Sequence, residues 1–132
     1  MIRLSSFLAC MIVSAPACAE WVKLTVNDEQ VKASGESYYV DPVINTTGAW
    51  PQIHTLRNYA VQDRKGNYSD RMVCEVNCLQ NTLRAIGGAF YQDLMGHGEF
   101  TLWNRQTPWV SPAPNSALQS VMNYVCEKQD DH

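Results

Sequence analysis

Apolar and polar residues alternate in short runs along most of this chain. A period of two commits such runs to β-strands that bury one face and leave the other wet. Between residues 71 and 78, Met72, Cys74, Val76 and Cys78 fall on one face, and Val73, Glu75 and Asn77 on the other. Residues 21–26 repeat the pattern, with Val22, Leu24 and Val26 opposed to Lys23 and Thr25. Residues 37–40 form a short aromatic strand stopped by Asp41-Pro42. Residues 50–61 form a longer one, in which Trp50, Gln52, His54 and Leu56 face away from Ile53 and Thr55. Pro51 puts its start at an edge or entry position.

The punctuation between these runs is equally specific. Residues 27–35 are polar and turn-rich, and Asn45-Thr46-Thr47-Gly48 is a turn. Asp63-Arg64-Lys65-Gly66-Asn67 is a hairpin loop in which Gly66 or Asn67 can take positive φ. Residues 82–86 continue extended, Gly87-Gly88 permits a turn or a bulge, and residues 89–94 supply a further strand. Met95-Gly96-His97-Gly98 is a loop, and residues 100–103 are short and extended. Pro108, Pro112 and Pro114 bracket Trp109 in an irregular segment. Asn115 or Ser116 then caps a helix running to about Cys126, with Leu118, Val121, Met122 and Val125 as its apolar stripe. The expected class is α+β: a small antiparallel β-sheet of about six strands, with a C-terminal α-helix laid on one face.

The first nineteen residues are set apart. Arg3 supplies a positive start, residues 4–13 are mostly apolar but too short to span a bilayer, and Pro16 precedes Ala17-Cys18-Ala19, a small-x-small cleavage pattern. Residues 1–19 therefore read as a secretory signal peptide, and residues 20–132 as a single exported domain. Cys18 opens a second reading, lipidation after cleavage, which would place the protein on a membrane. An ordinary cleavage site is preferred, because Ala15 stands where a lipoprotein signal carries a large aliphatic residue.

Charge excludes one partner class. The chain has 10 Lys and Arg against 13 Asp and Glu, a formal net charge of −3, and one of the basic residues, Arg3, lies in the leader. Nucleic acid is not expected as a partner, since phosphate binding needs clustered Lys and Arg.

Beyond the leader stand Cys74, Cys78 and Cys126. On one strand face Cys74 and Cys78 would be about 13 Å apart at ~3.3 Å per residue, whereas a disulfide needs Cα atoms within about 7 Å. The local pair is excluded. A bridge from the sheet to Cys126 at the helix end is the alternative, closing a loop of about fifty residues worth about 4 kcal/mol in the chain-entropy model. Residue chemistry does not choose between Cys74 and Cys78. The cysteine left over is buried as a small hydrophobe or pairs between molecules.

No catalytic or cofactor constellation emerges. Cys74, Cys78 and His97 lack metal-ligand spacing. A Cys–His nucleophile from Cys74 with His97 or His54 has no supporting motif. Ser116 lacks a Gly-x-Ser-x-Gly frame, and Asp41, Glu75, Asp93 and Glu99 are scattered. Gly87-Gly88 is not followed by the residues of a phosphate loop. The chain is read as a non-enzyme without metal or cofactor. Aromatic residues are the better functional candidates: Tyr38, Tyr39, Trp50, Tyr59, Tyr68, Tyr91, Trp103 and Trp109. Most belong to the core or to cross-strand pairs, and those on the sheet face away from the helix offer a binding surface.

Taken in order, Tyr38-Tyr39-Val40-Asp41, the turn at Gly48 and the run from Trp50 to Tyr59 resemble the first half of the surface-adhesin protein E family of Gram-negative bacteria. Glu75-x-Asn77-Cys78, Met95-Gly96-x-Gly98, Trp109, Pro114-x-Ser116 and Val125-Cys126 resemble its second half. The resemblance implies a disulfide between Cys78 and Cys126, leaving Cys74 as a free thiol outside the family's pattern. It implies export to the periplasm or cell surface, and adhesion to host extracellular matrix or serum proteins as a virulence function. It also implies a homodimer joined through the sheets. No ligand-binding segment carries over to numbered positions. The alternative is a soluble periplasmic protein with a structural, stress-related or inhibitory role and no host ligand.

Overall fold

The computed structural model describes residues 20–130; the expected leader with Cys18, and the terminal His132, lie outside them. Six strands form one antiparallel sheet in chain order: β1 (Val22–Lys23), β2 (Ser37–Val40), β3 (Gln52–Asn58), β4 (Ser69–Asn77), β5 (Thr82–Tyr91) and β6 (Phe100–Trp103). Each strand pairs with its neighbours in sequence, so every connection is local and none crosses over. The helix α1 (Glu29–Ser34) follows β1, and the long helix α2 (Ala117–Asp130) closes the chain.

Residues 27–35 are thus more than a polar turn. Asp28 caps α1 by accepting hydrogen bonds from the backbone N–H of Gln30 and Val31, at 2.8 and 3.4 Å. Gly35 ends it in the left-handed conformation. Strand β1 is shorter than the alternation suggested, but Leu24 N–H still bonds the Tyr38 carbonyl at 2.8 Å. Val26 is buried, while Val22 stays exposed.

The core lies between the sheet and α2. Val40, Ile53, Cys74, Val76 and Leu83 from the sheet meet Val121, Met122 and Val125 from the helix. Period two on the strands and an i, i+1, i+4 stripe on the helix put these residues on facing surfaces. Ser116 Oγ accepts a hydrogen bond from Gln119 N–H at 3.2 Å at the start of α2. The Cys78–Cys126 disulfide, with Cα atoms 5.7 Å apart, ties the end of β4 to the helix. Cys74 is unbonded and fully buried in the core.

The glycine pair resolves as a bulge. Val73 pairs with Gly87 and Cys74 with Ala85, so Ile86 is the extra residue, and residues 82–86 and 89–91 belong to one strand. Beyond β6 the chain turns back toward β5. Thr107 N–H bonds the Ala85 carbonyl, and Val110 bridges Leu83. Trp109 is thereby carried to the sheet face opposite α2.

The face away from α2 is covered at one end only. A 3₁₀ turn, Leu94–Gly96, folds across it. Ser69 Oγ donates to the Asp93 carbonyl at 2.6 Å and accepts from Gly96 N–H at 3.0 Å. Asn58 Oδ1 accepts from Met95 N–H at 2.8 Å, and Asn58 Nδ2 donates to the Met95 sulfur at 3.0 Å. Leu56 is buried beneath this turn even though it faces away from the core of α2. No helix among the described residues is long and apolar enough to cross a membrane.

Candidate binding surface

The pairing register places Gln52, His54, Arg71, Val73, Glu75 and Arg84 together on the sheet face opposite α2, with the Arg71 stem against Gly96 of the 3₁₀ turn. Each occupies a position that the core leaves free, and all are half-buried. Sheet pleating alone brings these polar side chains onto one surface. Trp50 joins them from the residues before β3, and Trp109 from the segment beside β5.

At one end of this face the groups satisfy one another. Glu75 accepts from Arg84 Nε at 2.9 Å and from Gln52 Nε2 at 3.2 Å. The Arg84 guanidinium also lies 4.4 Å from the centre of the Trp109 ring, a cation–π stack. Trp109 and Trp50 meet edge to face, with ring centroids 5.3 Å apart and planes at 71°. This end is a closed set of pairs.

The middle of the face is different. Arg71 Nη2 lies 2.9 Å from His54 Nδ1, its Nη1 lies 3.4 Å from the Tyr91 hydroxyl, and its Cζ is 5.8 Å from the Trp21 ring centre. A guanidinium only donates, so His54 Nδ1 accepts and the imidazole proton sits on Nε2. Burial lowers the His54 pKa, the neighbouring Arg71 charge lowers it further, and Asp41 opposes them. His54 is therefore held toward its neutral form. Beside Arg71 runs a shallow groove of about 430 Å³ lined by Val73, Ile86, Gly87, Ala89, Leu102 and Trp103.

On the face that carries α2, Arg57, Tyr59 and Asp70 form a second polar cluster. Asp70 Oδ2 accepts from Arg57 Nη2 at 2.7 Å and from the Tyr59 hydroxyl at 2.6 Å. Burial and the bond to Asp70 push the Tyr59 phenol up. Burial opposes the Arg57 charge, and the Asp70 carboxylate outweighs it to raise the Arg57 pKa. These groups are mutually paired. A groove of about 670 Å³ opens alongside, between residues 63–67, Phe90 and β6.

The residues weighed for chemistry are not brought together. Cys74 and His54 point to opposite faces of the sheet, as neighbouring positions on paired strands must. Burial pushes the Cys74 thiol up to about 12, away from thiolate chemistry. Cys78 is consumed by its disulfide, and His97 sits in an exposed loop. Among the described residues, no group of three or more His, Cys, Asp or Glu is arranged to hold a metal ion. Of the aromatic candidates, Tyr39, Trp50, Tyr91 and Trp109 lie on the open face, whereas Trp103 lies over Gly88 on the side of α2. Arg71 and Trp21 escape a reading based on apolar periodicity. The available signal was Arg71 at a two-residue step from Val73 and Glu75.

A family model described as surface-adhesin protein E matches residues 21–127. Two solved structures of Haemophilus influenzae protein E share the fold. One superposes with a TM-score of 0.59 at 19% identity, covering 82% of this chain and 87% of the other. The second gives 0.58 at 18% identity, covering 85% and 87%. No curated protein sequence matches this one.

Proposed function

The chain belongs to the surface-adhesin protein E family, and on that premise we propose that it is an exported adhesin whose open sheet face binds host extracellular matrix or serum proteins. The family match over residues 21–127 carries this reading. The open face supports it, since aromatic and Arg side chains are the residues that dominate protein–protein hot spots. Strand β6 pairs only with β5 among the described residues and exposes Phe100 and Leu102. An uncovered edge of this kind recruits another strand, and we assign it the homodimer contact.

The test has two parts. Labelling of intact cells with antibody against the folded domain should reveal it at the surface. The purified protein should bind immobilised matrix or serum proteins. A chain released only on opening the envelope, with no binding to either protein class, would instead fit the periplasmic role.

A further inference from the structure

Three arginines project from the sheet strands, and two of them lie against carboxylates: Arg57 against Asp70 and Arg84 against Glu75. Arg71 meets no acidic side chain among the described residues. Its neighbours are a neutral imidazole, a phenol and an indole face. A half-buried cation normally acquires an anion, because the protein around it screens and solvates it less well than water.

The surroundings are arranged to receive one. His54 Nδ1 and the Tyr91 oxygen accept from Arg71, which leaves His54 Nε2–H and the Tyr91 O–H without an acceptor among the described residues. The guanidinium keeps further N–H groups for a planar acceptor. Immediately beside it runs the apolar groove of about 430 Å³, floored by Gly87 and Ala89 and walled by Val73, Ile86 and Leu102. The groove is more open than enclosed, and its lining includes Leu102 and Trp103 of the edge strand β6. That shape suits a linear chain better than an enclosed acyl tail.

We propose that Arg71 anchors a carboxylate of an extended peptide segment from a protein partner, while an apolar side chain of the same segment fills the groove over Gly87 and Ala89. In an extended chain, residues i and i+2 point to the same side about 7 Å apart. An Asp or Glu two positions from a Leu, Ile or Val has the required form. The proposal rests on the open face being the binding face. It names the chemistry the partner must present there.

The probe is acetyl-Glu-Thr-Leu-amide, titrated into the purified, isotope-labelled protein by NMR. Its Gln counterpart and octanoate serve as comparisons. The Glu peptide should produce a saturable shift at the Arg71 Nε–H and the His54 imidazole, at least tenfold tighter than the Gln peptide. Arg71→Gln should abolish it, and Leu102→Ser, at an exposed position, should weaken it. Arg105→Gln, at an exposed position past β6, should leave it unchanged. No saturable shift at Arg71 up to millimolar peptide would overturn the proposal, as would equal binding of the Glu and Gln peptides. Octanoate binding tighter than the Glu peptide would overturn it in favour of an amphiphile site. Because the readout is local to Arg71, its failure is distinct from a failure of the protein to adhere to host proteins.

Discussion

The indole of Trp103 lies directly on the backbone of Gly88, across the β5–β6 pair. A Cβ at residue 88 would stand 2.9 Å from two indole atoms and would also collide with the carbonyl oxygen of Arg71. The glycine is therefore required by close approach from both neighbouring strands. Gly88→Ala should destabilise the domain by roughly 1–3 kcal/mol, the range for overpacking, and toward the upper end because a backbone oxygen cannot step aside. Loss of amide protection in β6 before the rest of the sheet, measured by hydrogen exchange, would locate the damage. An unchanged melting temperature would mean that Trp103 does not hold the edge strand.

The disulfide is the other long-range tie. Cys78 and Cys126 are 48 residues apart in sequence. Closing that loop is worth about 4 kcal/mol in the chain-entropy model, and measured values are often smaller. Cys126→Ser should lower stability by about 2–4 kcal/mol, read as a drop in denaturation midpoint with little change in slope. The helix remains apolar on its buried stripe, so α2 should stay docked at low temperature. Stability equal to that of the parent protein would show that the helix is held by burial alone.

Much of this architecture was legible from local pattern, and what was not has a physical reason. The face assignment of Cys74 and Val76 follows from alternation, and the hairpin at residues 63–67 from Gly66, which takes a φ of 88°. The α1 helix was missed because six residues with no apolar stripe look like any polar turn. Only the Asp28 cap and Gly35 mark it, and each of those residues also suits a loop. Alternation puts Leu56 on the face away from Ile53, and the structure agrees. Its burial comes from the turn around Met95, fastened by Ser69 and Asn58, a contact between distant segments that no periodicity encodes. The Arg71 site was hidden for a similar reason. A sequence displays an arginine, but whether an acid reaches it is decided by the register of three strands.

His54 gives stability a pH dependence whose sign follows from its surroundings. Its folded-state pKa lies below the ordinary imidazole value of about 6.5, through burial first and Arg71 second, with Asp41 opposing. Between that lowered pKa and 6.5 the unfolded chain binds more protons than the folded one, so stability falls as pH falls. Below the folded pKa the loss is complete and the contribution is flat. The melting temperature should therefore begin to decline as pH falls through the unfolded imidazole value of about 6.5, above the range where most carboxylates titrate. His54→Gln, which keeps an acceptor for Arg71, should flatten that decline. An equal slope in both proteins would place the titrating group elsewhere.

Trp109 sits on the open face, yet its contacts mark it as part of the scaffold. It meets Trp50 edge to face, and Arg84 stacks on its ring while holding Glu75. The Val110–Leu83 bridge next to it pins the returning segment to β5. The aromatic pair is worth about 0.5–1.5 kcal/mol, the cation–π contact about 0.5–1 kcal/mol, and the area removed from water adds to both. Trp109→Ala should cost roughly 2–3 kcal/mol in total, and a double-mutant cycle with Trp50→Ala should recover the pair's share as a coupling of about 1 kcal/mol. Peptide binding at Arg71 should survive, because Arg84 and Glu75 still satisfy each other and, among the described residues, no hydrogen bond or ring stacking links Trp109 to Arg71. Should binding vanish while the fold and its stability persist, Trp109 would belong to the ligand-binding surface and the partner's footprint would extend along the whole open face.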